Sequence, residues 1–186
     1  MTTFPHRLMG ASVLDVDTYE EVEADRGATW QALLVVLASS LAGGIGATGF
    51  TGTGEPPVGG IFFWSAVSLL AWAAWALLVF EIGGRLLPEP ETRVDVGELL
   101  RTIGFSSAPG MLRVFGVVPE LTVPVFALTT LWMLVAMIVA VRQALDYRST
   151  ARAVWVCTLG LAFAVIIALV FGIFLGPSVS VLVLRS

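Results

Sequence analysis

Lysine is absent from this sequence, and cysteine and histidine occur once each, as Cys157 and His6. A lone cysteine excludes an intramolecular disulfide. One cysteine and one histidine far apart in the chain cannot by themselves make a three- or four-ligand transition-metal site. Charge is scarce as well. Only 13% of the residues are charged, against about 25% in a typical soluble domain. A chain of 186 residues that is 57% hydrophobic has too little polar surface to cover its apolar area in water, so most of that area is expected to face lipid. The ten basic residues are all arginine, and fourteen acids leave a net charge of −4. Nucleic-acid binding needs clustered cations against phosphates, and that balance argues against it. No phosphate loop, HExxH or GxSxG motif is present. Paired carboxylates, a Ser–His pair or metal ligands are also missing from the apolar stretches. No catalytic, cofactor-binding or metal-binding residue is therefore expected, and the chain reads as a non-enzyme.

What the sequence does contain is long uncharged runs. A helical span takes about 20 apolar residues at roughly 1.5 Å each. Four runs are long enough, with cores at 29–48, 61–80, 121–141 and 153–175. A fifth segment, about 102–118, is shorter and contains Pro109 and Arg113. The positive-inside rule arbitrates whether it crosses. With five spans and a cytosolic N-terminus, Arg7, Arg26, Arg85, Arg93, Arg101, Arg142, Arg148 and Arg152 fall inside and Arg185 alone falls outside. A re-entrant third segment would put residues 142–152 in an external loop. The expectation is an all-α, multi-pass protein of the cell membrane, a bundle of about five transmembrane helices whose third is short and broken at Pro109. The first 28 residues hold six acids, the reverse of a basic signal-peptide start, so the first run is expected to stay as a span. Trp30, Trp64 and Trp155 stand near span starts, where amphipathic rings favour the membrane interface. Trp72, Trp75 and Trp132 lie deeper and read as packing or lipid contacts.

Arg113 is the most informative residue. A guanidinium at mid-bilayer costs about 2.5–3.5 kcal/mol on insertion scales, so such groups are usually paired or wetted. It lies six residues before Pro119, roughly 9 Å of helix, so its long side chain can snorkel outward. Glu120 and Glu55 lie on the same side as pairing candidates. A functional site for an anionic group is the other reading. Pro109 removes a backbone donor in mid-segment, and Gly104, Ser106, Ser107 and Gly110 surround it. A kink buried among neighbours is expected, since a freed carbonyl in lipid must find a partner. Ala42 with Gly46, and Gly172 with Gly176, have the four-residue spacing that lets helices approach closely, which opens the option of a homo-oligomer.

Ahead of the first span, Asp17-Thr-Tyr-Glu20 resembles a capping box. It would open a short amphipathic helix with Val16, Tyr19 and Val22 on one face and acids on the other. Cytosolic lipid is anionic and would repel it. The helix either packs against the protein's own arginine-bearing loops or docks a basic partner. The candidate partner-contact residues are Asp17, Glu20 and Glu21 there, with Arg142, Asp146 and Arg148 in the 142–152 loop. Arg142 and Asp146 stand at i, i+4 in the weaker order for an ion pair, so that loop also reads simply as solvated.

The stretch from Ile103 to Pro119, IGFSSAPGMLRVFGVVP, resembles the third span of the Ypt-interacting protein (Yip domain) family. So do the Trp132 span ending in VRQALDYR at Arg148 and the acidic lead-in of residues 16–25, in the manner of prokaryotic members. The resemblance covers roughly residues 12–175. It implies a five-helix membrane domain with a cytosolic N-terminus. Eukaryotic relatives bind small GTPases of the Rab/Ypt type, but their Asp-Leu-Tyr-Gly-Pro signature has no counterpart here. The expected organisation is an acidic cytosolic segment (1–28), a five-helix transmembrane domain (29–176) and a short external tail (177–186). The expected role is a scaffold or adaptor that contacts membrane lipids and binds a protein at its cytosolic face. The alternative is a small transporter or channel subunit that uses the broken helix at Pro109 and Arg113.

Overall fold

A computed structural model describes residues 2–51, 58–88 and 95–183, all helix and connecting turns, with no strand among them. Among the described residues seven α-helices follow in order: α1 (Phe4–Ser12), α2 (Val16–Ala24), α3 (Ala28–Ala47), α4 (Val58–Glu81), α5 (Val96–Ser106), α6 (Pro119–Ala144) and α7 (Thr150–Val183). A 3₁₀ segment, Ala108–Val117, joins α5 to α6. Among the described residues three stretches are long and apolar enough to cross a membrane: Ala28–Phe50, Gly59–Leu86 and Pro119–Ala144. In α7 the part whose side chains are described, Thr150–Ile166, is apolar too.

Burial ranks the helices. The most apolar window of α3 is 61% buried, against 11% for α4. α3 is thus the central helix, with α4 on one side and the 3₁₀ segment on the other. Its glycines permit this. A Cβ on Gly44 would run into the backbone of Ile61 and Ser65 in α4, and one on Gly46 would strike the carbonyl of Arg113. The close approach expected of Ala42 and Gly46 therefore operates within the chain. Gly172 and Gly176 lie where side chains are not described. α4 instead exposes Phe62, Leu70 and Leu77. An apolar face of this kind suits lipid, the solvent that its composition predicts.

The third apolar segment differs from a single helix over 102–118. α5 begins earlier, at Val96, where Asp95 caps it by accepting from the N–H groups of Gly97 (2.7 Å) and Glu98 (3.0 Å). It ends at Ser106, three residues before Pro109, and the chain continues as 3₁₀. Pro109 cannot donate to an α-helical ladder. The hydroxyls of Ser106 and Ser107 donate to the carbonyls of Ile103 (2.8 Å) and Gly104 (2.6 Å), which answers the polar groups that the break releases.

Two features at the N-terminal end differ from expectation. A first helix, α1, precedes the acidic one. In addition, α2 opens at Val16 with Asp15 in the cap position, so Asp17 belongs to its first turn and the capping box does not form. The Asp15 carboxylate instead accepts from the Thr18 hydroxyl at 2.6 Å. Thr18 packs against Gly10 of α1, so that bond closes the corner between the two helices.

Candidate functional site

Two regions gather polar chemistry. The first is the cap formed by α1 and α2. Arg7 on α1 is buried, and its guanidinium donates to Glu21 and Asp25, each at 2.7 Å, and to Gln31 at 3.1 Å. Hydrogen bonds from Thr2 and then Arg7 hold the Glu21 carboxyl down at about 2. Arg7, followed by the Gly27 N–H, lowers that of Asp25. Burial opposes the charge on Arg7, but its bonds to the two carboxylates raise its pKa above the ordinary value.

The cap is tied to the bundle at several points. Arg101 of α5 donates to the carbonyls of Val22 and Glu23, which lie in the last turn of α2, where carbonyls lack helical partners and a cation is favoured. The Trp132 indole of α6 donates to the Ser12 carbonyl at 2.8 Å. Gln143 donates to Glu20 at 3.2 Å. α2 thus packs against its own protein, with Arg7 and Arg101 supplying the cations.

The partner-contact candidates separate on this frame. Glu21 is engaged by Arg7, while Asp17 and Glu20 remain exposed. Arg142 and Asp146 are both exposed but form no ion pair in the described structure: α6 ends at Ala144, and Asp146 sits in the left-handed region at φ 50°. The helical i, i+4 geometry needed for that pair is therefore lost. Asp146 acts instead on Glu23. Burial first, then the charges of Asp146, Glu98 and Glu20, push the Glu23 carboxyl up to about 7. Carboxylates from α2, α5 and the α6–α7 turn thus converge. Arg148 is exposed and is not without a partner. That turn is less solvated than expected, because Leu145 and Tyr147 are buried and the Tyr147 hydroxyl donates to the Gly83 carbonyl at 2.7 Å.

The second region is a cavity of about 290 Å³ between α3, α4, α6, α7 and the 3₁₀ segment. Arg113 lines it. The guanidinium does not run outward toward Pro119. It reaches the third turn of α6, where Nε donates to the Thr129 hydroxyl (3.3 Å) and a terminal nitrogen to that of Thr130 (2.9 Å), and it lies 5.3 Å from the centre of the Phe126 ring. Thr129 stands ten residues along α6 from Pro119, roughly 15 Å at the helical rise. Glu120, in the first turn of α6, is exposed and too distant to pair. The pairing considered for Glu55 lies outside the described residues. Among the described residues the ion pairs are Arg7 with Glu21 and Asp25, and Arg85 with Glu81. Arg113 belongs to none of them. Trp72, on the α4 wall, has its indole N–H buried without a hydrogen-bond partner. Neither that group nor the direction of Arg113 is legible in a one-dimensional pattern, because both depend on how α4 and α6 rotate about their axes. Among the described residues no group of histidine, cysteine or carboxylates is placed to hold a metal.

A family model described as the Yip1 domain matches residues 12–180. No curated protein and no solved structure matches the chain. The matched range takes in α2 through nearly all of α7 and leaves most of α1 outside.

Proposed function

Because the chain belongs to the Yip1 domain family, we propose that it is a non-enzymatic scaffold of the cell membrane that binds a basic protein segment at its cytosolic face. It spans the bilayer five times in this reading, with α1 and α2 inside. The observation that carries the reading is the convergence of Glu20, Glu23, Glu98 and Asp146, from three parts of the chain, on a cap anchored to the bundle by Arg101 and Trp132. Like charges held together in this way are costly, and Arg101 offsets only part of their effect on Glu23. A partner's arginines or lysines would relieve that repulsion and gain on-rate from the field. Self-association is a separate use of the exposed apolar helices.

Crosslinking in native membranes tests the scaffold. The wild-type chain should capture a protein partner, and a variant carrying Glu20→Gln, Glu98→Gln and Asp146→Asn should capture it at least fivefold less. Recovery of no partner, or of the chain itself alone, would count against the reading. A second reading, a small transporter, is favoured by one observation: Arg113 borders a cavity beside the broken segment. Arg113→Gln should then abolish flux of an anionic solute into vesicles. Absence of flux in the wild type would remove that reading.

A further inference from the structure

The cavity beside Arg113 combines features that a packing flaw would not. One full positive charge borders it, held by two neutral hydroxyls and an aromatic face. Those two bonds use only part of the five-donor fork of a guanidinium. Trp72 adds a buried N–H that lacks an acceptor. Ser39 and Ser40 of α3, Ser68 of α4 and Ser107 at the break also line the space. The Ser107 hydroxyl is already committed to the Gly104 carbonyl, so the unspent donors are those of Arg113 and Trp72; no described carboxylate receives them, and the missing partner is an acceptor that carries negative charge.

The remainder of the wall is apolar, including Trp64, Val67, Leu161 and Val165. The lining residues of α3 lie in its C-terminal half, between Val36 and Ala47, and those of α6 in its middle, between Phe126 and Met133. An aqueous ion would leave that apolar wall unused. The neighbouring α4 surface is among the most exposed apolar faces in the protein, so a hydrocarbon tail leaving the cavity would meet lipid.

We propose that this cavity binds the head of an amphiphile whose net charge is −1, a lipid phosphodiester that carries no cation of its own or a fatty-acid carboxylate. Arg113 and Trp72 donate to the oxyanion, and the walls from α4 and α7 hold the first carbons of the tail. One cation matches one negative charge. A space of about 290 Å³ suits a head and a few methylenes, with the rest of the chain along α4. The proposal is independent of the scaffold reading, since the cap and its carboxylates take no part in it.

Native mass spectrometry of the full chain in detergent tests it, with phosphatidylglycerol, oleate, phosphatidylcholine and inorganic phosphate as probes. The wild type should retain at least one of the two singly anionic amphiphiles at least tenfold better than phosphatidylcholine, and millimolar phosphate should not displace it. Arg113→Gln should lose at least tenfold of that retention. Arg113→Lys should stay within about threefold of wild type, and Trp72→Phe should lose about threefold. Ala71→Phe narrows the cavity without touching the guanidinium and should also reduce retention, so the test stands even where Arg113→Gln fails to fold. Glu55→Gln should leave retention unchanged. Equal retention of phosphatidylcholine, or retention indifferent to Arg113→Gln, Trp72→Phe and Ala71→Phe alike, would overturn the proposal. So would displacement by phosphate, which would make the cavity a site for soluble anions. Retention that arises only in Glu55→Gln would show that Arg113 is already answered by that carboxylate.

Discussion

Arg7 and Arg113 are both withdrawn from water, yet their surroundings are opposite. Arg7 meets two carboxylates and an amide within 3.1 Å. Arg113 meets two threonine hydroxyls and a phenyl ring. A buried cation that is fully answered is part of the fold, and deleting it strands its partners. A half-buried cation beside apolar helices, answered only by neutral groups, is a standing cost to the fold, and its presence points to something that binds there. The same side chain thus marks a structural clamp in the cap and a candidate site in the bundle.

The contrast predicts effects of opposite sign. Arg7→Ala should destabilise the protein by about 2–3 kcal/mol in denaturant unfolding in detergent, somewhat below the range for a fully buried pair because Glu21 and Asp25 are partly exposed. A loss below about 0.5 kcal/mol would mean that the cap is not clamped by this pair. Arg113→Met, in the same assay without lipid, should be neutral or stabilising by about 1–2 kcal/mol, because a matched apolar side chain removes an uncompensated charge. A loss as large as that of Arg7→Ala would erase the distinction between the two regions.

Smaller effects sharpen it. Trp132→Phe removes the bond to the Ser12 carbonyl and should cost about 1 kcal/mol. Its structural signature should be faster protease cleavage between α1 and α2. The pH dependence should reveal the two kinds of carboxylate in the cap. The Glu23 carboxyl lies above its ordinary range, at about 7, so its contribution is fully present below about pH 4.5 and is lost as pH rises through about 7. Glu23→Gln should therefore raise the melting temperature at pH 8 by about 1–2 °C and leave it unchanged at pH 4. Glu21, held at about 2, behaves in the opposite sense. Its contribution is present above about pH 4.5 and fades as pH falls toward 2. Melting curves from pH 3 to 8 check both.

The long apolar runs made the membrane class and the main helices legible, since about 20 residues without charge have few other uses in so short a chain. The break was legible too, because Pro109 among small and hydroxylated residues leaves few ways to continue a helix. α1 was not. Phe4–Ser12 is nine residues with no acid in its first turn and no base in its last, and it is held by Arg7 and by the Tyr19 hydroxyl on the Ala11 carbonyl, both tertiary contacts. The acidic helix was visible as a helix, but its start was misread by two positions, because Asp15 and Asp17 are equally good caps in sequence and packing of Thr18 against Gly10 decides between them. The cavity was out of reach for a related reason. That Arg113 lay among apolar residues could be read directly. That it turns along α6 toward Thr130, away from Glu120, depends on three helices at once.

The most direct test of the account is an experimental density map of the full chain in a nanodisc containing phosphatidylglycerol. The account predicts non-protein density against the Arg113 guanidinium, within hydrogen-bonding reach of the Trp72 indole. A carboxylate of the chain seated there, or a guanidinium turned out to the membrane surface beside Glu120, would contradict it.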